Sequence, residues 1–286
     1  MNPPSIGLID TSFRHHPLNT VPGNTSEFIE WNRDNPFSEN LVCFTNEKII
    51  DESAFRIAKE RRIAILYESL DTMRWLYEST ETYIPEYSIF FTHDKTLLDQ
   101  YPNTRWIPGN GIWVGNSYGG GELSISSKDR MTSFITSLKE TTALQRLRVR
   151  LAEKLQVKSD YEIDVFLRST YAYDYLPISQ CLQRYRFSLI IENTQSPLYF
   201  TEKLLNCFAT GTIPIYLGAT EIDKFFDING IIVFSSRKQL LNDILPRLSV
   251  DLYSSKMESI ETNFKLCQSY KSIEKIVSSH LEDLLH

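Results

Sequence analysis

Three polar side chains that could bind a diphosphate and a sugar stand close together in residues 192–203. Asn193 follows an apolar run, and Glu202 and Lys203 open the next helical pattern. The N-terminus of a helix favours anions through its free N–H groups and its dipole, and Lys203 adds a positive charge. Glu202 can accept the two hydroxyl hydrogen bonds that a ribose or a sugar diol donates. From the residue types alone, a capped surface helix with an adjacent charge pair is an equal alternative.

Two apolar segments flank these residues and make a βαβ pattern with them. Residues 187–191 are bounded by charge, which is typical of a buried strand in a parallel sheet. A polar loop at 193–197 precedes apolar residues at helical spacing, Gly211 is placed to end that helix, and residues 213–217 form a second strand. The loop therefore lies at the carboxyl end of a strand, where open parallel sheets bind ligands.

This segment resembles the donor-site signature of the family 10 glycosyltransferases, the α1,3/α1,4-fucosyltransferases. The matching pieces are FSLIIENT, YFTEK and TIPIYLGA, in that order and at that family's spacing, within residues 187–219. The resemblance implies a GDP-fucose donor whose ribose hydroxyls bind Glu202. It assigns donor binding to Asn193, Tyr199, Glu202 and Lys203.

A further carboxylate, Glu68, follows an apolar strand predicted at residues 63–67. Family members carry Glu-Ser-Pro at the corresponding place, and that glutamate is their proposed catalytic base. Here the residues are Glu68, Ser69 and Leu70, so the turn loses its proline and keeps the carboxylate. The resemblance implies that Glu68 takes the proton of the acceptor hydroxyl. The alternative is a strand-end glutamate that caps a helix at 71–77.

A long helix predicted at residues 142–156 carries three arginines. Arg146, Arg148 and Arg150 cannot share one face at about 100° per residue, so most of them are expected to be solvated. In the family, an arginine near the start of this helix binds the donor diphosphate, and a planar guanidinium can bind two phosphate oxygens at once. The distance to Leu155 favours Arg148, with Arg146 a close second.

Together these residues imply an inverting transfer of fucose from GDP-fucose to a hydroxyl group of a glycan acceptor. Two alternatives stay open. The motif specifies the nucleotide and the diphosphate better than the sugar, so another nucleotide sugar could be the donor. The chain could also be a non-catalytic protein that binds glycans or nucleotide sugars. The sequence contains no Asp-x-Asp, so no required metal or cofactor is expected, and stimulation by a divalent cation is left open.

The length of 286 residues suits two domains, and strand and helix patterns alternate in both halves. We predict an α/β protein with two Rossmann-like domains facing a cleft, the GT-B type, and the resemblance implies the same fold. The predicted domains are an acceptor-side domain at 1–125 and a nucleotide-sugar domain at 126–286. A glycine-rich linker at 117–127 joins them, and the last helix, 273–285, is expected to pack back on the first domain. Weaker patterns predict helices at 28–31, 51–61, 177–185 and 238–248.

Composition narrows the class of protein. A formal net charge of −6 argues against nucleic-acid binding. No apolar run approaches the roughly 18 residues of a membrane span, and no secretion signal is recognisable, so we expect a cytoplasmic protein without a membrane anchor. The four cysteines are widely spaced and are predicted to be reduced and mostly buried.

The adjacent His15 and His16 point in different directions on any regular element, which argues against a two-histidine metal site. Tyr171, Tyr173 and Tyr175 could stack on a sugar or base ring, or simply pack.

Overall fold

The structure is a computed structural model that describes residues 3–11, 27–116, 119–157, 161–168 and 177–281. His15 and His16, and the tyrosine segment at 171–175, lie outside the described residues. The chain divides into two compact units. The first comprises Met1–Gly111, Pro197–Tyr199 and Tyr270–His286, and the second comprises Ile112–Ser196 and Phe200–Ser269.

The first unit is built on a six-stranded parallel sheet in the order β2-β1-β3-β4-β5-β6. Its strands are β1 Ser5–Ile9, β2 Glu30–Asn32, β3 Val42–Thr45, β4 Arg62–Leu66, β5 Ile89–Thr92 and β6 Thr104–Trp106. Two short helices connect the later strands, α1 Arg74–Thr80 and α2 Lys95–Gln100. The side chain of Asp94 caps α2 by accepting a hydrogen bond from the Leu97 amide.

The second unit is built on a five-stranded parallel sheet in the order β11-β10-β9-β7-β8. Its strands are β7 Arg130–Ser137, β8 Ile163–Arg168, β9 Tyr185–Ile191, β10 Ile213–Leu217 and β11 Ile232–Val233. Its α-helices are α3 Ala143–Val157, α4 Glu202–Ala209, α5 Arg237–Gln239, α6 Val250–Ser254 and α7 Met257–Cys267. Two parallel α/β units were predicted, and this prediction is confirmed.

Both faces of the first sheet are buried, because successive side chains of a strand point to opposite faces and both faces are apolar. Ile63 and Ile65 of β4 pack in one core, which also contains Ile273 and Val277 of the last helix, α8 Ile273–Ser279. Ala64 and Leu66 pack in the opposite core with residues of α1 and α2. Full burial of a large aliphatic side chain contributes roughly 1.5–3 kcal/mol, so α8 is a stabilising part of the first unit.

The predicted βαβ segment is present as β9, α4 and β10, with Phe187 paired to Ile213 in the register of the two strands. The side chain of Thr201 caps α4, and the helix ends at Ala209. Gly211 follows with φ +66°, a left-handed conformation that suits glycine. Residues 119–121, predicted as a linker, lie in the second unit, and the change from the first unit to the second comes at Gly111.

Three local predictions were wrong, namely the helices at 28–31, 51–61 and 177–185. The helix predicted at 28–31 is strand β2, because Ile29 and Trp31 are both buried and so follow the period of a strand. The helix predicted at 51–61 is replaced by two short 3₁₀ turns, Ala54–Arg56 and Lys59–Arg61. The Asp51 carboxylate accepts a hydrogen bond from the Ser53 amide and so stabilises a turn at the start of this segment.

The helix predicted at 177–185 is absent, whereas the helix predicted at 238–248 is present with changes of helix type. A 3₁₀ turn, Ile178–Cys181, occupies the first, because Tyr185 already belongs to β9. In the second, α5 continues as a π-helical turn and then a 3₁₀ turn that contains Pro246, which has no N–H to continue a helix.

All four cysteines are free and buried. None of the helices that the structure describes is both long and apolar enough to cross a membrane.

Candidate donor site and catalytic carboxylate

A pocket of about 300 Å³ opens in the second unit at the carboxyl ends of β7 and β9. Its apolar wall includes Trp113, Ile178 and Leu182. Its polar residues include the cation Lys139 and four predicted donor-binding residues, namely Arg148, Asn193, Glu202 and Lys203. An apolar wall beside clustered cations suits a ligand that combines a flat ring with a charged phosphate chain.

Arg148 and Arg146 have different surroundings. Arg148 is only 6% exposed and lines the pocket. Its Nη1 donates to the Ile191 carbonyl at 3.2 Å and its Nη2 to Asn193 Oδ1 at 2.9 Å. Arg146 is exposed and donates to the carbonyls of Glu140 and Thr141 at the start of α3. The geometry therefore favours Arg148 over Arg146 as the arginine that could bind a diphosphate in this pocket.

Asn193 connects the end of β9 to the start of α3. Its Oδ1 accepts from Arg148 and, at 3.4 Å, from Gln145 Nε2, while its carbonyl accepts from Thr142 Oγ1 at 2.8 Å. Thr142 and Gln145 bond reciprocally, since the Thr142 amide donates to Gln145 Oε1 and the Gln145 amide donates to Thr142 Oγ1. This is a capping box, and it orients the helix that carries Arg148.

Lys203 lies at the start of α4 within a network of carboxylates and a hydroxyl. Its Nζ is 3.1 Å from both Glu202 Oε1 and Thr201 Oγ1, and 3.6 Å from Glu192 Oε2. Glu192 is fully buried and accepts from the Thr201 amide at 2.9 Å and from Thr201 Oγ1 at 2.8 Å. The Lys203 side chain remains 27% exposed and lines the pocket. Its ammonium is therefore held by Glu202, Thr201 and Glu192 and still accessible from the pocket.

Burial and charge act in opposite directions on this network. Burial raises the pKa of Glu192, and the Lys203 ammonium opposes that shift. Burial alone would lower the pKa of Lys203, but the carboxylates of Glu202 and Glu192 raise it above its ordinary value. Lys203 is consequently a permanent cation at neutral pH.

Replacing Lys203 by alanine is expected to weaken GDP binding by about 2 kcal/mol, or roughly 30-fold, because a partly buried charge-assisted contact is lost. The change also leaves Glu192 buried without its cation, so the free energy of unfolding should fall. Calorimetric titration with GDP and urea unfolding measure the two effects. Lys224→Ala is the matched control, because the Lys224 ammonium is exposed and pairs with Glu221. An unchanged dissociation constant for Lys203→Ala would remove Lys203 from the site.

Tyr199 has a different position from the other predicted donor-binding residues. It belongs to the first unit, is 2% exposed, and does not line the pocket. Its ring packs against the imidazole of His93, with the ring centroids 4.5 Å apart. The structure thus brings together Arg148, Asn193, Glu202 and Lys203 at the pocket, and Tyr199 is not among the residues that line it.

Glu68 lies in the first unit, two residues past the end of β4, and is half-buried. The turn that follows is held without the proline of the family pattern, since the Ser69 carbonyl accepts from the amides of Thr72 and Met73. Ser69 Oγ and Thr72 Oγ1 are also 2.7 Å apart. Helix α1 begins only at Arg74, with Met73 as its N-cap, so Glu68 is not the N-cap of that helix.

The burial of His93 predicts that the protein loses stability in acid. Burial lowers the pKa of His93 to about 4, opposed by the Glu68 carbonyl and by Asp94. The unfolded chain, with an ordinary histidine pKa near 6.5, therefore binds the proton first as the pH falls. We expect the free energy of unfolding to be highest above pH 6.5 and to fall by up to about 3 kcal/mol as the pH decreases to 4.

Urea unfolding at several pH values in this window tests the expectation. The His93→Asn variant should lose most of the slope between pH 6.5 and 4. His280→Asn should lose less of it, because that residue is exposed, although burial and Arg105 also lower the pKa of His280. An identical slope in the wild type and in His93→Asn would show that His93 does not titrate on unfolding.

Three residues of the site were not identified from the sequence. Lys139 follows β7 and is a third cation of the pocket, while Gln145 and Glu192 orient Arg148 and Lys203. The pattern Thr-x-x-Gln at 142–145 is a recognisable capping signal that could have identified Gln145. Nothing in the local sequence distinguishes Lys139 from a solvated surface lysine.

The described residues contain no group of three or more His, Cys, Asp or Glu side chains that could hold a metal ion.

Residues 125–246 match the family model described as glycosyltransferase family 10 (fucosyltransferase), C-terminal part. This segment belongs to glycosyltransferase family 10. The family 10 segment contains every residue that lines the pocket except Trp113. It also contains Arg148, Asn193, Glu202 and Lys203, whereas Glu68 lies outside it.

Two curated fucosyltransferases match shorter parts of the chain. An α-(1,3)-fucosyltransferase of Helicobacter pylori is 38% identical over 61 residues, which is 21% of this chain and 13% of the relative. An α-(1,4)-fucosyltransferase of Arabidopsis thaliana is 38% identical over 60 residues, which is 21% of this chain and 14% of the relative. The matched parts thus span about a seventh of the length of these curated relatives.

Solved structures resemble the whole described chain. An α1,3-fucosyltransferase has a TM-score of 0.53 at 15% identity, covering 99% of this chain and 91% of that one. Anabaena Alr3699/HepE with UDP-glucose has a TM-score of 0.57 at 12% identity, covering 98% and 91%. Sucrose-phosphate synthase from Thermosynechococcus elongatus has a TM-score of 0.59 at 8% identity, covering 99% of both chains. At such identities the likeness establishes the fold, which is that of the GT-B glycosyltransferases.

Proposed function

We propose that the chain is an inverting glycosyltransferase that transfers fucose from GDP-fucose to a hydroxyl group of a glycan acceptor. The observation that carries the proposal is the pocket of the second unit, where Arg148, Lys203 and Glu202 come together inside the family 10 segment. The curated relatives are fucosyltransferases, which supports fucose as the transferred sugar.

On the donor side, Arg148 and Lys203 bind the diphosphate and Glu202 accepts hydrogen bonds from the ribose hydroxyls. Both cations are oriented by protein groups, Arg148 by Asn193 and Lys203 by Thr201 and Glu192. Positive charge that is already in place stabilises the negative charge that grows on the departing diphosphate, with little reorganisation during the reaction.

On the acceptor side, Glu68 is the general base. Its carboxylate takes the proton of the acceptor hydroxyl while the hydroxyl oxygen forms a bond to C1 of fucose. The bond between C1 and the β-phosphate oxygen breaks at the same time, and GDP leaves with that electron pair. The new bond forms on the face opposite to the leaving group, so the configuration at C1 inverts, through a transition state that resembles an oxocarbenium ion.

The test is an assay of purified protein with GDP-fucose, GDP-mannose and UDP-sugars over a panel of lactosamine-type acceptors, with and without a chelator. Turnover of GDP-fucose alone, at the same rate with the chelator, would support the donor and a reaction that needs no added metal. Turnover of another nucleotide sugar would overturn the donor assignment. GDP binding without turnover of any donor on any acceptor would argue for a protein that only binds, against the proposed activity.

A further inference from the structure

Side chains, rather than the sheet, hold the main chain on both sides of the Glu68 Cα. Asn46 Oδ1 accepts from the amides of Tyr67 and Glu68, at 3.2 and 3.3 Å. The Glu68 carbonyl accepts from Tyr77 OH at 2.7 Å and lies 3.1 Å from His93 Nε2. Since β4 ends at Leu66, three side chains from three separate elements take over from the sheet at this one residue.

Asn46 follows β3 and is fully buried. Its φ of +46° makes it the one described residue other than glycine with a positive φ. Such a conformation is rare for residues with a side chain, and asparagine adopts it more readily than most. Strained backbone of this kind persists where the surrounding structure requires it, often beside a functional group. In this conformation, Asn46 Oδ1 accepts hydrogen bonds from the N–H groups of Tyr67 and Glu68.

Tyr77 and His93 secure the other side of the residue. Both are buried, and Tyr77 OH lies 3.2 Å from His93 Nε2. A carbonyl oxygen only accepts hydrogen bonds, so the proton of the neutral imidazole is on Nε2, and both side chains donate to the same oxygen. Tyr199 packs against the His93 ring, with the ring centroids 4.5 Å apart.

We propose that Asn46, Tyr77 and His93 are positioning residues that fix the main chain at Glu68 and so limit where its carboxylate can lie. The proposal rests on the function proposed above, in which Glu68 is the base. With the peptide units before and after its Cα fixed, Glu68 can place its carboxylate only through its own side-chain rotations. A base must lie within hydrogen-bond reach of the proton it takes, and a displacement of about 1 Å can cost roughly 100-fold in rate.

The test combines substitutions at these positions with Glu68→Gln, and GDP-fucose with an N-acetyllactosamine acceptor is the probe. Asn46→Gly keeps the backbone conformation and removes the acceptor oxygen, and Tyr77→Phe removes one donor. We expect Asn46→Gly and Tyr77→Phe to lower kcat about 10- to 100-fold, with the KM for GDP-fucose and the Kd for GDP within twofold of wild type. The control Tyr83→Phe should retain most of kcat.

In the Glu68→Gln background, Asn46→Gly and Tyr77→Phe should lower the residual rate no further, because the group they position is already gone. Equal losses in both backgrounds would overturn the proposal, since they would show an effect that does not pass through Glu68. Wild-type turnover by Glu68→Gln would instead overturn the function proposed for Glu68. An inactive Glu68→Gln beside fully active Asn46→Gly and Tyr77→Phe would overturn the positioning role alone.

A readout that does not depend on turnover is amide hydrogen exchange in the peptide that contains Tyr67 and Glu68. We expect exchange at these two amides to be at least about 10-fold faster in Asn46→Gly than in wild type, and unchanged in the control Tyr83→Phe. Unchanged exchange in Asn46→Gly would show that Asn46 does not hold this segment, which would overturn the proposal whatever the assay gives.

Discussion

Replacing Glu68 by glutamine is expected to lower kcat for fucosyl transfer by about 10²- to 10⁴-fold, the usual range for loss of a general base. An amide of the same size cannot take the proton of the acceptor hydroxyl. The Kd for GDP should stay within twofold of wild type, because the pocket is lined by residues of the second unit and Glu68 belongs to the first. Steady-state rates and calorimetric titration with GDP measure the two quantities.

Glu78→Gln is the matched control for this prediction. Glu78 is an exposed glutamate of α1, so its replacement changes the net charge of the first unit by the same amount. Its kcat should be that of wild type. Weakened GDP binding by Glu68→Gln would indicate that Glu68 is part of the donor site, and an unchanged kcat would show that it is not the base.

Replacing Arg148 by methionine is expected to weaken GDP binding by about 2–3 kcal/mol, or roughly 30- to 150-fold. The variant loses the guanidinium that would bind two phosphate oxygens. It also removes the donor of two hydrogen bonds, to the Ile191 carbonyl and to Asn193 Oδ1, so the end of β9 should lose order as well. Methionine keeps most of the apolar stem of Arg148, which limits the loss of packing.

Arg146→Met resolves the choice that the sequence leaves open between the two arginines. Arg146 is exposed and directed at the start of α3, so GDP binding by this variant should stay within twofold of wild type. Thermal unfolding of both variants separates a folding defect from a loss of affinity. The opposite order of effects, with the larger loss in Arg146→Met, would assign the diphosphate contact to Arg146.

The sequence predicted the β9, α4 and β10 segment closely, because its determinants are local. Apolar runs of strand length, a Thr cap and a glycine after the helix lie within a few residues of the structures they determine. The same local patterns predicted two parallel α/β units. They also placed Asn193, Glu202 and Lys203 together, since all three lie in or beside one loop at the end of one strand.

The tertiary structure determined the side-chain directions that depend on contacts between residues far apart in the chain. The orientation of Arg148 toward the pocket depends on Asn193, 45 residues away in the chain. The contacts of Asn46 and His93 with the Glu68 main chain join residues that are 22 and 25 positions apart. Tyr199 shares a local motif with Lys203 and nevertheless packs on His93 in the first unit. A motif determines which side chains are near each other along the chain, whereas the direction and environment of each side chain are set by the packing of separate elements, which no single stretch of sequence contains.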